Sequence, residues 1–485
     1  MNIPRSILRL ALVLSSFFPI SMCLAQASLA QPDYLTNARK ITPAAIDPAI
    51  ASVLQTIRAS NIEKTIKTLV GFGTRSTLSS MEKNLPEGQG ISAAADWIAA
   101  QFEQISQQCG GCLEVHRDTF TQPITERIPQ PTTITNIYAV LRGSDPVQAK
   151  RMVLVTGHYD SRNSNVLDAQ GVAPGVNDDA SGVAVSLECA RAFSKLRFPA
   201  TIVFAAVAGE EQGLNGSAHL AKLARSEGWQ LEAVLNNDIV GGNTTPGDKL
   251  QLKDRVRVFS EGVPAAATPE QARRIRALGE ENDSSSRQLA RFIADTASTY
   301  FPAAAGAPFS PFLVNRPDRY LRGGDHTSFN REGFAAVRFT EWREDYNHQH
   351  QNVVIPPAGS DAPILGDLIQ FVDFGYVANV ARLNAAALAT MAASPSLPTN
   401  VKILAQNLEN GTTLQWEAPA GAPSNIHYEL LWRETTASDW QFVQTVETQP
   451  STAPTTAHVP ISKDNVFFGI RAVDAAGHRG LVVVP

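Results

Sequence analysis

The stretch TIVFAAVAGEEQGL, residues 201–214, decides how the middle of the chain folds. An unbroken run of apolar, β-prone residues gives way to small residues and then to two adjacent carboxylates, Glu210 and Glu211. A strand that is apolar on both sides has no face to offer water, so it belongs inside a sheet covered on both faces. The carboxylates repel each other; either both are solvated in a loop or a positive charge holds at least one of them. Taken alone, the pair leaves that choice open.

The same pattern recurs. NIYAVLRG (136–143), RMVLVTGHYDS (151–161), LEAVLNNDIV (231–240) and AAVRFTE (335–341) are short β-rich runs bounded by turn residues. Helical periodicity lies between or beyond them at 180–196, 216–227, 286–299 and 365–391. Strands alternating with helices predict an α/β domain whose central sheet carries helices on both faces. In such sheets ligands gather at the carboxyl ends of strands.

The flanks read differently. Residues 1–27 have the form of an export signal: Arg5 and Arg9, an apolar stretch, then Ala25-Gln26-Ala27 as a cleavage site, with Ser28-Leu29-Ala30 as the alternative. Cys23 follows Met22, a poor context for lipidation. The expected product is an exported protein, periplasmic or secreted, without stable membrane association. Residues 28–60 read as a loose leader with short helical pieces, 61–392 as the α/β domain and 393–399 as a Pro/Ser linker. Residues 400–485 contain only strand-like runs with frequent turn signals, which predicts a C-terminal all-β sandwich with Trp416, Tyr428, Leu430, Trp432, Phe468, Ile470 and Ala472 in its core. The sandwich resembles a fibronectin type III domain, down to its GIRAVDAAGHRG ending.

Hydrophobic residues make up 44% of the 485, enough for a sizeable core, and the formal net charge is -5 with no basic run. Nucleic acid is therefore not an expected partner, since phosphate binding needs clustered Lys and Arg. Cys109 and Cys112, in QQCGGCLEV, follow an amphipathic segment. A redox pair normally opens a helix after a strand, so a small local disulfide is expected instead. Cys189 falls on an apolar helix face and is expected as a buried free thiol.

Chemistry-bearing residues collect at the predicted strand ends. They are His158 and Asp160 in VTGHYDS, Asp178 and Asp179 in APGVNDDASG, Glu210 and Glu211, Asp238 in LNNDIVGG, and Asp325 and His326 in RGGDHTSFN. Each has a plain structural reading: a satisfied histidine, a helix N-cap, a turn former. Their joint occurrence at strand ends of one domain favours a site. Imidazole and carboxylate without cysteine suit zinc or a similar divalent ion.

These motifs, in this order across roughly residues 60–390, resemble the M28 family of co-catalytic dizinc aminopeptidases. The resemblance implies a mixed central sheet and two Zn2+ ions per chain, bridged by Asp178. His158 and Asp238 would complete one ion, and Glu211 and His326 the other. Glu210 would be the general base, and Asp160 the acid that orients the His158 imidazole. It also implies a cis Asp178–Asp179 peptide, and peptide substrates with a free N-terminus; the alternatives are another M28-type hydrolase, dipeptidase or carboxypeptidase-like, and a non-catalytic secreted binding protein. Departures from simpler members are the long stretch 241–324, either a lid or one wall of the specificity pocket or inert surface, and Arg316, Arg319 and Arg322, read mainly as partners of nearby acids, with one of them as a candidate for a substrate carboxylate or carbonyl. His348 and His350 lie near the mouth, as substrate contacts or loop structure, and His219 belongs to the helix after the glutamates.

Overall fold

The computed structural model describes residues 31–485, apart from 36–37, 303–307, 407, 420–421, 423–424 and 448–453. The export signal and Cys23 lie outside the described residues.

The strands of the first 400 residues are β1 (Arg39–Lys40), β2 (Leu113–Gln122), β3 (Thr132–Leu141), β4 (Arg151–His158), β5 (Thr201–Val207), β6 (Gln230–Asn237), β7 (Arg255–Ser260), β8 (Ser310–Val314) and β9 (Ala336–Thr340). All but β1 form one mixed sheet in the order β2-β3-β5-β4-β6-β9-β7-β8. β4 lies parallel to both β5 and β6. The chain therefore leaves β4 for a neighbour on one side and then crosses to the other. That reversal opens a crevice at the carboxyl end of β4, the place where such sheets bind ligands.

The helices are α1 (Pro48–Leu54), α2 (Ala59–Val70), α3 (Ile91–Gln108), α4 (Ala180–Phe193), α5 (Asn215–Ser226), α6 (Pro269–Leu278), α7 (Ser285–Tyr300), α8 (His326–Arg331) and α9 (Phe374–Ala393). Residues from α1 to α4, α7 and α9 build the larger core on one face of the sheet. Leu220, Ala221 and Ala224 of α5 and Phe329 of α8 build the core of the other face. The helix expected over 365–391 begins only at Phe374, because Gly366 has a positive φ, Val372 is extended and Asp373 caps the Tyr376 N–H.

Stretch 241–324 is integral to the domain rather than an appendage, since it supplies β7 and β8 to the sheet and buries Leu289, Ile293 and Ala297 of α7 in the main core. The leader is anchored too, with Ile50, Val53 and Leu54 of α1 in the same core. Cys109 and Cys112 are disulfide-bonded and Cys189 is a buried free thiol.

Beyond the domain come β10 (Thr399–Ile403), β11 (Thr412–Glu417), β12 (His427–Glu434), β13 (Phe442–Glu447), β14 (Thr455–Val459) and β15 (Val466–Val473). They form a three-stranded sheet, β10-β11-β14, and a four-stranded one, β1-β13-β12-β15. Trp416, Tyr428, Leu430, Trp432, Phe468, Ile470 and Ala472 are buried between them, as the alternation predicts. The edge strand β1 comes from the leader, and Tyr34 accepts the Trp432 indole N–H at its carbonyl (2.9 Å). Asp283, just before α7, accepts from Arg291 (2.9 Å) and from Arg433 of β12 (2.6 Å), a buried charge cluster between the two parts.

Candidate metal centre

The strand ends deliver most of the expected residues to one place. His158 closes β4, Glu210 and Glu211 follow β5, and Asp238 follows β6. Asp178 and Asp179 precede α4, whose N-terminus lies hard against the sheet. A Cβ on Gly182 would come within 2.1 Å of the Asn237 carbonyl, and one on Gly157 within 2.5 Å of the Gly182 backbone. Only glycine permits this approach.

The peptide between Asp178 and Asp179 is cis. The two carboxylates serve different ends. Asp179 turns inward, accepting the His158 N–H (3.0 Å) and the Gly182 N–H (2.8 Å), and so joins β4 to α4. Asp178 turns to the crevice between two imidazoles: Oδ1 lies 3.1 Å from His158 Nε2 and Oδ2 lies 2.8 Å from His350 Nε2. His350 Nε2 is also 3.1 Å from Glu211 Oε1. Asp238 Oδ1 lies 3.9 Å from His158 Nε2 and is held by Arg338 Nη2 at 2.8 Å. Two groups result that could each hold a cation: His158, Glu210 and Asp238, and Asp178, Glu211 and His350.

His326 does not join them. Its Nε2 donates to the Pro317 carbonyl (2.7 Å) and lies 3.9 Å from Asp318, which also pairs with Arg338. The place beside Glu211 expected for His326 is taken by His350. The reason is local: His326 opens α8, whose Phe329 packs into the core of the second face, whereas the loop after β9 brings His350 to Asp178 and Glu211. His348 points elsewhere, stacked on Phe371 at 3.5 Å. Of the three arginines, Arg319 pairs with Asp318 and Glu344.

Asp160 does more than orient an imidazole. His158 Nδ1 reaches the Asp160 carbonyl (3.2 Å) and carboxylate (3.4 Å). The same carboxylate accepts the backbone N–H groups of Glu210 (3.4 Å) and Glu211 (3.1 Å), so one buried acid sets both the histidine and the glutamate pair. Asp367, which no motif in the sequence marks, accepts the N–H groups of Asn177 and Asp178 at 2.9 and 2.8 Å. Arg75, buried, ties the carbonyls of Tyr159, Pro174 and Gly175 together. Gln349 Nε2 donates to Asp178 Oδ2 at 3.2 Å.

The electrostatics ask for a cation. Burial alone would push His350 down, but Glu211 and Asp178 raise it to about 10. Burial likewise opposes charge on His158, yet the carboxylates of Asp160, Asp178 and Asp238 around it hold it well above its ordinary value. The carboxylates facing the two rings draw positive charge towards them, a service a divalent ion performs once the rings are neutral. Among the described residues, His158 Nε2 and Glu211 Oε1 are buried beside charged neighbours, Asp178 and His350 at 3.1 Å, yet none is aligned to hydrogen-bond with them, as for ligand atoms awaiting a metal. Two imidazoles with carboxylates and no thiolate fit zinc. Burial, together with Asp238 and Glu211, raises Glu210 well above the usual carboxylate range, against the lowering effect of His158.

Fold and site together define a metal-dependent class of α/β protein, with its centre at the carboxyl edge of a mixed sheet. The family profile of peptidase family M28 matches residues 136–355. A probable zinc metalloprotease of Pyricularia oryzae is 43% identical over 445 residues, covering 90% of this chain and 84% of that one. Another, from Leptosphaeria maculans, is 40% identical and covers 90% and 96%. The chain belongs to peptidase family M28. Among solved structures, the Legionella pneumophila LapA aminopeptidase superposes with a TM-score of 0.48 at 19% identity, covering 73% of this chain and 78% of that one. A Porphyromonas gingivalis glutaminyl cyclase gives 0.45 at 18%, covering 68% and 98%. These two likenesses do not distinguish one activity from the other.

Proposed function

We propose that this M28 zinc metallopeptidase is an exported aminopeptidase that removes N-terminal residues from peptides, using two zinc ions. Asp178 would bridge them, His158 and Asp238 would hold one, and Glu211 and His350 the other. The observation that carries the reading is Asp178 facing both imidazoles, with Glu210 beside His158 and Asp238. Zinc bound there supplies Lewis acidity, drawing the pKa of a water towards about 7 and polarising the scissile carbonyl.

The protein's own residues do the rest. Glu210 keeps one edge open to the crevice while Asp160 fixes its backbone, so its carboxylate can take a proton from water and return it to the leaving amine. Its burial favours a proton-accepting strength suited to that exchange. The acids around His158 offer counter-charge to a free α-ammonium, which would confine cleavage to chain ends. The segment 1–27 would direct export, and residues 400–485 would form a fibronectin type III-like module.

The test is metal analysis together with a panel of aminoacyl-p-nitroanilides and N-blocked peptides. Zinc-loaded protein should cleave the free-amine substrates and spare the blocked ones. Inactivity on every free-amine substrate sinks the reading.

A further inference from the structure

The candidate centre is open on one side. The His158 and Asp238 side chains are 0% and 3% exposed, whereas His350 and Arg162 are each 21% exposed. A substrate therefore arrives over His350, and that approach is edged by cations. Arg162, four residues past the end of β4, places Nε 3.2 Å from Glu211 Oε2, and its Nη2 donates to His350 Nδ1 at 2.8 Å. Arg127, exposed between β2 and β3, donates from Nη1 to the Glu211 carbonyl at 3.2 Å. Among the described residues, Glu211 is the one carboxylate within ion-pair distance of Arg162.

Both contacts of Arg162 are to groups that the centre itself needs. An imidazole that gives Nε2 to a cation keeps its hydrogen on Nδ1, where it can no longer accept from a guanidinium. A carboxylate that gives its oxygens to a cation has less to offer a second one. A centre in use leaves Arg162 half-buried at the mouth and short of an acceptor, and an unpaired, partly desolvated charge is costly. An anion brought by the substrate would complete it. A peptide whose scissile bond lies at the centre advances at most about 3.3–3.6 Å per residue. The carboxylate of a short peptide thus comes level with Arg162 within one or two residues of the cleaved bond.

We propose that Arg162, seconded by Arg127, binds the terminal carboxylate of short peptides, so that the substrates are di- and tripeptides with a free C-terminus. This rests on the aminopeptidase reading for the cleavage itself, but not for the binding.

The test uses the zinc-loaded full chain. Hydrolysis of Leu-Gly is compared with that of its C-terminal amide. Calorimetry compares a non-hydrolysable phosphinic Leu-Gly isostere with its own C-terminal amide, and zinc content is measured for each protein. The wild type should favour the acid by about 10- to 100-fold, in Kd and in KM, as expected for a charge-assisted guanidinium–carboxylate pair. R162Q should lower acid binding to the level of the amide at unchanged zinc content, and R162K should keep part of the preference, since an ammonium lacks the planar fork. Equal binding of acid and amide by the wild type overturns the proposal. So does a preference that survives R162Q combined with R127Q, or a fall in kcat that is the same for acid and amide, which would place Arg162 at the reacting carbonyl. A strong acid preference in binding without hydrolysis of either peptide would sink the aminopeptidase reading and leave the carboxylate site standing.

Discussion

The His350 imidazole stands 2.8 Å from the carboxylate of Asp178, although the two residues lie 172 positions apart in the chain (350 − 178). His326 lies outside that contact, bonded to the Pro317 carbonyl. The two histidines should therefore behave differently on removal. His350→Ala should release about one equivalent of metal per chain at wild-type folding. His326→Ala should keep both equivalents and cost about 1–3 kcal/mol of stability, because it strips a buried acceptor of its donor. Metal analysis alongside denaturant melts separates the two, and loss of metal in the His326 variant would reverse the assignment.

On the proposed reading the glutamate pair divides its labour. Glu210→Gln should retain both metals and lose about 10²–10⁴-fold in turnover, the usual contribution of a positioned acid–base group. Glu211→Ala should empty the position it shares with Asp178 and His350. An active Glu210→Gln enzyme, or one that loses zinc while folded, would mean that the roles are exchanged.

Much of this was legible in the sequence, because strand ends in an α/β sheet are marked locally. An apolar run followed by a His, Asp or Glu states both where the strand stops and what stands at its edge. That is why His158, Asp178, Glu211 and Asp238 are found together where the pattern put them. His350 lacks such a marker: it sits in an irregular loop, EDYNHQHQN, with neighbouring histidines, and its place depends on how that loop returns over the crevice. Arg75 and Asp367 were illegible for a related reason. They act on backbone groups far away in the chain, and nothing in a sequence announces which carbonyls a buried arginine will gather. The positions of β7 and β8 were hidden too, since β8 is short and only half-buried at the sheet edge.

Asp367 supports Asp178 through its backbone. Replacing it by Ala removes the carboxylate whose Oδ2 accepts from both the Asn177 and Asp178 N–H groups, at 2.9 and 2.8 Å. Zinc affinity should fall by about 10- to 100-fold, as for other groups that orient a metal ligand indirectly. Chelator competition gives the measurement, and an unchanged affinity would show that the cis-linked pair holds its position without Asp367.

The sandwich should not be a detachable appendage. Asp283 neutralises Arg291 of α7 and Arg433 of β12 in a buried cluster. Asp283→Ala leaves two guanidiniums there without their carboxylate, a change that costs about 3–5 kcal/mol when a buried pair is broken. Unfolding followed by Trp416 and Trp432 fluorescence and by catalytic-domain activity should shift together. A sandwich that melts alone, with the catalytic domain unaffected, would contradict the coupling.

A second tie between leader and sandwich should depend on pH. His478 lies between two carboxylates, Nδ1 2.8 Å from Asp474 and Nε2 2.9 Å from Asp47, the cap of α1. The bond to Asp474, against some loss from burial, raises His478 above its ordinary value. Asp47 and Asp474 are both lowered, since their hydrogen bonds to His478 and to backbone N–H groups outweigh burial. The signs then fix the window. A raised histidine contributes its stability below about pH 6.5 and loses it as pH climbs through the folded value. The lowered acids contribute above about pH 4 and lose it on further acidification. His478→Ala should therefore cost about 1 kcal/mol near pH 5.5, where all three groups are charged, and clearly less near pH 9. Urea melts at the two pH values measure the difference. An equal cost at both would mean that His478 acts through packing alone, and that the charge between leader and sandwich contributes nothing.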